Sequence, residues 1–224
     1  MKRNSIRFLS VLLALLTFLS AFAVMPITAT AEETQPAADD DFKGMTFSTS
    51  QSAPMWKMPY QLTELPYTIE AWFTMPTTVT SGRGGTIFSS YLGSGNNTLC
   101  YEINSNGIPR IYIRNEDGTT VDKKFSKIDV RTGEEIHLVL VNDTSKNTFT
   151  CYVNGVAAQS INCGTTSTEY DTENIVKNVF SLGGDNRSIN QYPFKGYMKT
   201  FAAYTDVKTA EDIAASYADR KSVV

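Results

Sequence analysis

Between Gly44 and Tyr204 the β-branched and aromatic residues fall in short runs, each bounded by Gly, Asn, Asp or Pro. Runs of this length are too short for core helices, and their bounded, partly alternating character is that of strands. Strands are expected over residues 45–48, 67–74, 86–91, 98–104, 110–115, 136–142, 148–153, 156–161, 179–182 and 194–204. Short strands in series, with turn residues between them, fold as an antiparallel sandwich or barrel, because one strand pair alone buries too little apolar area. A single helix is expected over 210–217. Thr209 can cap it, Glu211 and Asp212 fall in its first turn, and Ile213 and Tyr217 share the face that would meet a sheet.

Two hairpins can be set in register from side-chain chemistry. Over 148–161 the pair Asn154-Gly155 supplies the positive φ angles of a two-residue turn, so Val153 faces Val156, Cys151 faces Ala158 and Phe149 faces Ser160. Cys151 then lies on the apolar face, and Cys163 falls beyond its reach, so these two are expected not to be joined. Over 98–114 a two-residue turn would set Ile103 against Arg110 and mix apolar with charged side chains. A three-residue loop, Ser105-Asn106-Gly107, with Gly107 left-handed, instead pairs Tyr101 with Ile111 and Leu99 with Ile113. The opposite face then carries Glu102 beside Arg110 and Tyr112 beside Cys100. Such a ladder is either a solvated exterior, the usual outcome of alternation, or a ligand platform.

The N-terminus has a different character. Lys2, Arg3 and Arg7 precede the apolar stretch from Phe8 to Val24, and Ala29-Thr30-Ala31 offers a small-x-small cleavage pattern, so residues 1–31 are expected to be a secretory signal peptide. Without it the net charge moves from −3 to −6, since 17 cations then face 23 acids. Residues 32–43 are small and acidic and read as a linker, 44–218 as the domain, and 219–224 as a tail. No nucleic-acid partner is expected, because no basic cluster lies outside the signal. No membrane association is expected after cleavage, and the mature chain is expected to be a monomer. Three cysteines exclude a dense disulfide framework.

Several chemistries are missing. With His137 as the only histidine, multi-His metal sites are out of reach, and no G-x-S-x-G elbow accompanies it. A structural histidine is the simpler reading. There is no Walker loop or dinucleotide fingerprint, and neither Glu134/Glu135 nor Glu169/Asp171/Glu173 sets two acids on one strand face as a sandwich glycosidase requires. Gly183-Gly-Asp185-Asn186 has the oxygen donors of a calcium site, so Asp185 and Asn186 are the metal candidates and calcium the candidate cofactor. Trp56, Tyr60, Tyr91, Tyr112, Tyr170 and Tyr192 fall in loops or on outward positions where a ring can stack on a sugar or a protein.

Six segments in order resemble the laminin-G-like, concanavalin A-type jelly-roll family: Tyr67-Thr-Ile-Glu-Ala-Trp-Phe73, Gly133-Glu-Glu-Ile-His-Leu-Val139, Tyr152-Val-Asn-Gly-Val156, Ser181-Leu-Gly-Gly-Asp185, Phe194-Lys-Gly196 and the helix ending at Tyr217. The resemblance implies an all-β fold of two packed antiparallel sheets with one short C-terminal helix, and places His137 at the family's structural histidine. Two positions depart from the pattern. Glu135 replaces a tryptophan, and Lys199 stands where an acid is common, which weakens the case for a cation there. The family's role is binding or adhesion outside the cell, so the chain is expected to be a secreted or cell-surface module for an extracellular carbohydrate or protein, non-catalytic, or an accessory domain of an exported hydrolase. A glycoside hydrolase or lyase on the same fold is the alternative. The expected contact residues are Glu102, Arg110, Tyr112 and Arg114 on the ladder, with Tyr91 and Tyr192 on rim loops.

Overall fold

The computed structural model describes residues 45–47, 56–57, 67–79, 85–90, 96–162, 180–184 and 192–222. The strands are β1 (Met45–Phe47), β2 (Trp56–Lys57), β3 (Thr68–Thr74), β4 (Gly85–Ser89), β5 (Thr98–Ile103), β6 (Pro109–Arg114), β7 (Thr120–Lys124), β8 (Glu135–Asp143), β9 (Thr148–Val153), β10 (Val156–Asn162), β11 (Ser181–Leu182) and β12 (Gly196–Tyr204), followed by helix α1 (Ala210–Ser222). They form two six-stranded antiparallel sheets, ordered β1-β12-β3-β8-β9-β10 and β2-β11-β4-β5-β6-β7. The fold is a jelly-roll β-sandwich with one C-terminal helix.

Alternation builds the core. Ile69, Phe73, Leu138, Leu140 and Phe149 of the first sheet join Phe88, Leu99, Tyr101, Ile111 and Ile113 of the second in one buried cluster. Full burial of each such side chain is worth about 1.5–3 kcal/mol. Phe73 meets Phe194 edge-on at 5.3 Å between ring centroids, and Phe88 stacks on Phe180 at 4.9 Å. These rings bind the segments just before β12 and just before β11 to the sheets.

The β5–β6 hairpin has the register that the side-chain argument requires, with Leu99 opposite Ile113, Tyr101 opposite Ile111 and Glu102 opposite Arg110. Gly107 has φ 73°. A β-carbon there would also run into the carboxylate of Asp129 and the side chain of Arg131, so glycine is required on two counts. The β9–β10 hairpin departs from expectation. Val153 does face Val156, but a bulge between Ala157 and Gln159 puts Cys151 opposite Gln159 and Phe149 opposite Ile161. An extra residue in an edge strand shifts every later pair by one. Cys151 nevertheless stays on the core side and is fully buried. Cys100 and Cys151 are both free buried thiols, and burial pushes the Cys151 thiol well up. Cys163 lies outside the described residues.

Two strands were not expected, β2 and β7. In β7 only Val121 is buried, because the strand is a sheet edge and its remaining residues are polar. The helix is capped as expected: Asp212 N–H donates to Thr209 Oγ1 at 3.1 Å, and Thr209 N–H donates back to Asp212 Oδ2 at 3.1 Å. It continues five residues beyond 217, through Arg220 to Ser222, into the stretch read as tail.

Candidate functional site

The outer face of β5, β6 and β7 gathers the expected ladder. Register sets Glu102, Arg110 and Lys124 in one row, Cys100, Tyr112 and Asp122 in the next, and Thr98, Arg114 and Thr120 in a third. Arg110 Nη1 donates to Glu102 Oε2 at 2.7 Å, while Nε and Nη2 donate to Asp122 Oδ1 and Oδ2 at 2.8 and 2.9 Å. Its guanidinium carbon lies 5.0 Å from the centre of the Tyr112 ring. The two-pronged bond to Asp122 and the charge of Glu102 push the Arg110 pKa up against the effect of burial.

Only the β5 side of this ladder is withdrawn from solvent. Glu102 is 3 % exposed, and every residue of β4 and β5 is buried, on both faces of the strands. Burial falls off toward β7, so the half-exposed part of the ladder is Tyr112 and Arg114 on β6. Arg110 has both prongs and one further nitrogen committed to carboxylates. It therefore braces the face and fixes the Tyr112 ring, and the next planar donor along the same face of β6 is Arg114, whose buried Nε has no hydrogen-bond partner. Tyr192 joins the same row through its backbone. With φ 56°, its carbonyl accepts from Thr86 N–H at 2.9 Å, and Thr86 stands opposite Glu102. Thr86 Oγ1, fully buried on this face, is unpartnered. The structure thus brings Glu102, Arg110, Tyr112 and Arg114 to one sheet face, and sets Tyr192 beside β4 through its backbone alone. Tyr91, Asp185 and Asn186 lie outside the described residues. Among the described residues no group of three or more His, Cys, Asp or Glu side chains is placed to hold a metal.

The outer face of the first sheet carries a second polar centre that the sequence patterns did not signal. Glu70 on β3 takes His137 Nε2 at 2.8 Å and Ser216 Oγ at 2.7 Å on one carboxylate oxygen, and Tyr204 Oη at 3.2 Å on the other. Burial alone would push the Glu70 carboxyl up. Hydrogen bonds from His137 and Ser216, attraction to His137 and the Tyr204 bond outweigh it and hold the carboxyl at about 2. Burial and Glu70 together push the Tyr204 phenol up to about 12. Trp72 stacks on His137 at 4.5 Å and on Tyr217 at 5.6 Å, with the Arg220 guanidinium 5.1 Å from its ring. Thr68 Oγ1 donates to Asp206 O at 2.8 Å and accepts from Lys208 N–H at 3.1 Å, fixing the approach to α1.

Ser, His and Glu stand together here, yet the wiring is not that of a nucleophile. Both Ser216 and His137 bond the carboxylate, whereas a relay needs the hydroxyl to give its proton to the imidazole. The cluster anchors α1, and His137 is structural. The only sequence signal for it was the outward position of Glu70 and Trp72 on a strand whose alternate residues Ile69, Ala71 and Phe73 face the core. The two family departures also pair, Lys199 Nζ lying 3.1 Å from Glu135 Oε2.

The family model of the concanavalin A-like lectin/glucanases superfamily (Laminin_G_3) matches residues 48–214. The chain belongs to this superfamily. Among solved structures, the CBM40 of the Ruminococcus gnavus IT-sialidase bound to α2,3-sialyllactose is similar, with a TM-score of 0.55 and 19 % identity over 78 % of this chain and 96 % of that one. The binding domain of botulinum neurotoxin serotype G is similar at TM-score 0.52 and 14 % identity, over 73 % of this chain and 38 % of that one. A heptameric SAP-like pentraxin from Limulus polyphemus is similar at TM-score 0.53 and 13 % identity, over 79 % and 83 %. At these identities the likeness is one of fold. No curated protein matches the sequence. Among the described residues, no helix of this superfamily member is long and apolar enough to cross a membrane.

Proposed function

We propose that this superfamily member is an exported, non-catalytic carbohydrate-binding module whose ligand face is the outer surface of β6 and β7, with Tyr112 as the stacking ring and Arg114 as the planar donor. The observation that carries the reading is the bracing of Arg110 by Glu102 and Asp122. It holds the Tyr112 ring on a rigid strand, so little conformational entropy is lost on binding. The same bracing speaks against hydrolysis on this face, since both carboxylates are engaged by one guanidinium and are not set to flank a glycosidic bond. The sialyllactose-bound CBM40 supports an acidic glycan as a ligand class, for which an arginine is the apt donor. The apolar stretch from Phe8 to Val24 supports export.

The test is a glycan array with sialylated, sulfated and neutral members, run with and without EDTA to expose any calcium dependence through Asp185 and Asn186. Tyr112→Ala and Arg114→Ala are each expected to weaken the best acidic glycan at least about tenfold, the equivalent of ~1.4 kcal/mol. Unchanged binding in both variants overturns the assignment of the face. Release of reducing ends from a polysaccharide by the purified protein overturns the non-catalytic reading.

A further inference from the structure

We infer that the outer face of the other sheet holds a second saccharide site, for an uncharged sugar, in a groove between the start of α1 and the β8–β9 turn. The inference rests on the carbohydrate-binding reading above and extends it to a face that reading does not use. Helix α1 roofs only part of that sheet. Beyond its first turn an open groove of about 590 Å³ remains, bounded by Val207–Glu211 on one side and by Asp143 and Lys146 on the other. That volume lies within the roughly 300–1,000 Å³ typical of small-ligand clefts.

Strand alternation makes the floor. Val141, Thr150 and Ser160 are adjacent across β8, β9 and β10, and Thr148 and Tyr152 flank Thr150 on the same face of β9. Thr150 and Ser160 share a hydrogen bond at 2.9 Å in which either hydroxyl can be the donor. Hydroxyls that both give and accept suit the hydroxyls of a sugar. Tyr152 is held in place by packing against Val139, Val141 and Ile213. At the rim Val207 is 39 % exposed, an apolar surface for the C–H face of a sugar ring.

Charge decides the class of ligand. The lining has two acids, Asp143 and Glu211, and two cations, Lys146 and Lys208. Lys146 Nζ lies 2.7 Å from Asp143 Oδ2 and Lys208 Nζ lies 3.2 Å from Asp206 Oδ2. A carboxylated or sulfated ligand would face Asp143 and Glu211, and a cation would face the lysines. An uncharged polyol meets neither penalty and can use both kinds of partner. The two faces thus differ in the ligand they favour, an arginine face for acidic sugar and a balanced groove for neutral sugar.

The test follows backbone amide shifts of the purified protein during titration with neutral di- and trisaccharides of glucose, galactose, mannose and N-acetylglucosamine, and with 3′-sialyllactose. At least one neutral saccharide is expected to give saturable shifts at Thr148, Thr150, Tyr152 and Ser160. Ser160→Trp, at an exposed edge position where folding is easily checked by melting, should weaken it at least tenfold, as should Tyr152→Ala. Tyr112→Ala and Arg114→Ala should leave it within twofold. The groove is refuted if no neutral saccharide shifts these amides, if binding survives both groove variants, or if it is lost in Arg114→Ala instead. Loss of sialyllactose binding only in the β6 variants, with no neutral saccharide bound, leaves the first face standing and removes the second. Neutral binding lost only in the groove variants, with sialyllactose indifferent to Tyr112 and Arg114, does the reverse.

Discussion

Each sheet places one glutamate near the middle of its outer face, Glu70 on β3 and Glu102 on β5, and each glutamate meets a cationic or protonatable partner on the next strand. The resemblance ends with where the partners come from. Glu102 and Asp122 hold Arg110 across separations of 8 and 12 residues, all within two successive hairpins. Glu70 draws on His137, Tyr204 and Ser216, which are 67, 134 and 146 residues away. The first centre stiffens a face whose outer strand stays half exposed. The second is roofed by α1 and fastens the C-terminal end of the chain to the sheet. Equivalent strand alternation thus yields a braced, partly open face on one side and an anchor for α1 on the other, and the cover supplied by distant chain makes the difference.

The sharpest challenge to this contrast is Trp72→Ala, which removes the surface on which His137, Tyr217 and Arg220 rest. A loss of about 3–5 kcal/mol is expected from denaturant unfolding, with α1 amides losing protection first. Arg110→Ala comes next. It leaves Glu102 buried without the Arg110 cation and should cost about 2–3 kcal/mol, and Arg110→Met combined with Glu102→Leu should recover part of that, because the carboxylate left behind, Asp122, is open to water whereas Glu102 is buried. A stability that is unmoved by Arg110→Ala would show the ladder to be loose rather than braced.

Glu70→Gln should cost about 1–2 kcal/mol near neutral pH, once solvent screening is allowed for. The sign of its pH dependence follows from the depressed carboxyl. With the folded value at about 2 and the ordinary value at 4.5, the contribution of Glu70 is complete above roughly pH 5 and is lost as pH falls toward 2. Melting scans across that window should therefore show the wild type approaching the variant in acid, and a constant gap would refute the linkage. Smaller still is Lys199→Met, where the half-buried pair with Glu135 should be worth about 0.2–1 kcal/mol and should fade in high salt. Tyr112→Ala should change stability as little, by about 0.5 kcal/mol, while carrying the large effect on glycan binding, a separation that a purely structural ring would not give.

Much of the fold could be read before any coordinates. The β5–β6 register followed from one argument about keeping Ile103 and Arg110 on separate faces by polarity, and the helix start followed from Thr209 and the acids after it. The β9–β10 register failed beyond the turn because a bulge at Ala158 leaves no mark in a strand whose exposed residues alternate only weakly. Strand β7 was missed for a related reason: Thr120–Lys124 has a single apolar residue, and an edge strand needs no more. At the candidate site the sequence placed Glu102, Arg110 and Tyr112 on one face correctly. It treated Arg110 as an available contact, whereas Asp122, on the unrecognised β7, occupies it.

Local chemistry in the chain therefore settled the strand texture, the tight hairpin at Gly107, the cap of α1 and the polar row on β5–β6, because each depends on residues only a few positions apart. Which outer face is sealed, that His137 answers to Glu70, and that a groove stays open beside α1 were decided by packing. Those outcomes depend on hydrogen bonds and ring contacts between segments that meet only when both sheets have closed, and no pattern within a single segment encodes its distant neighbour.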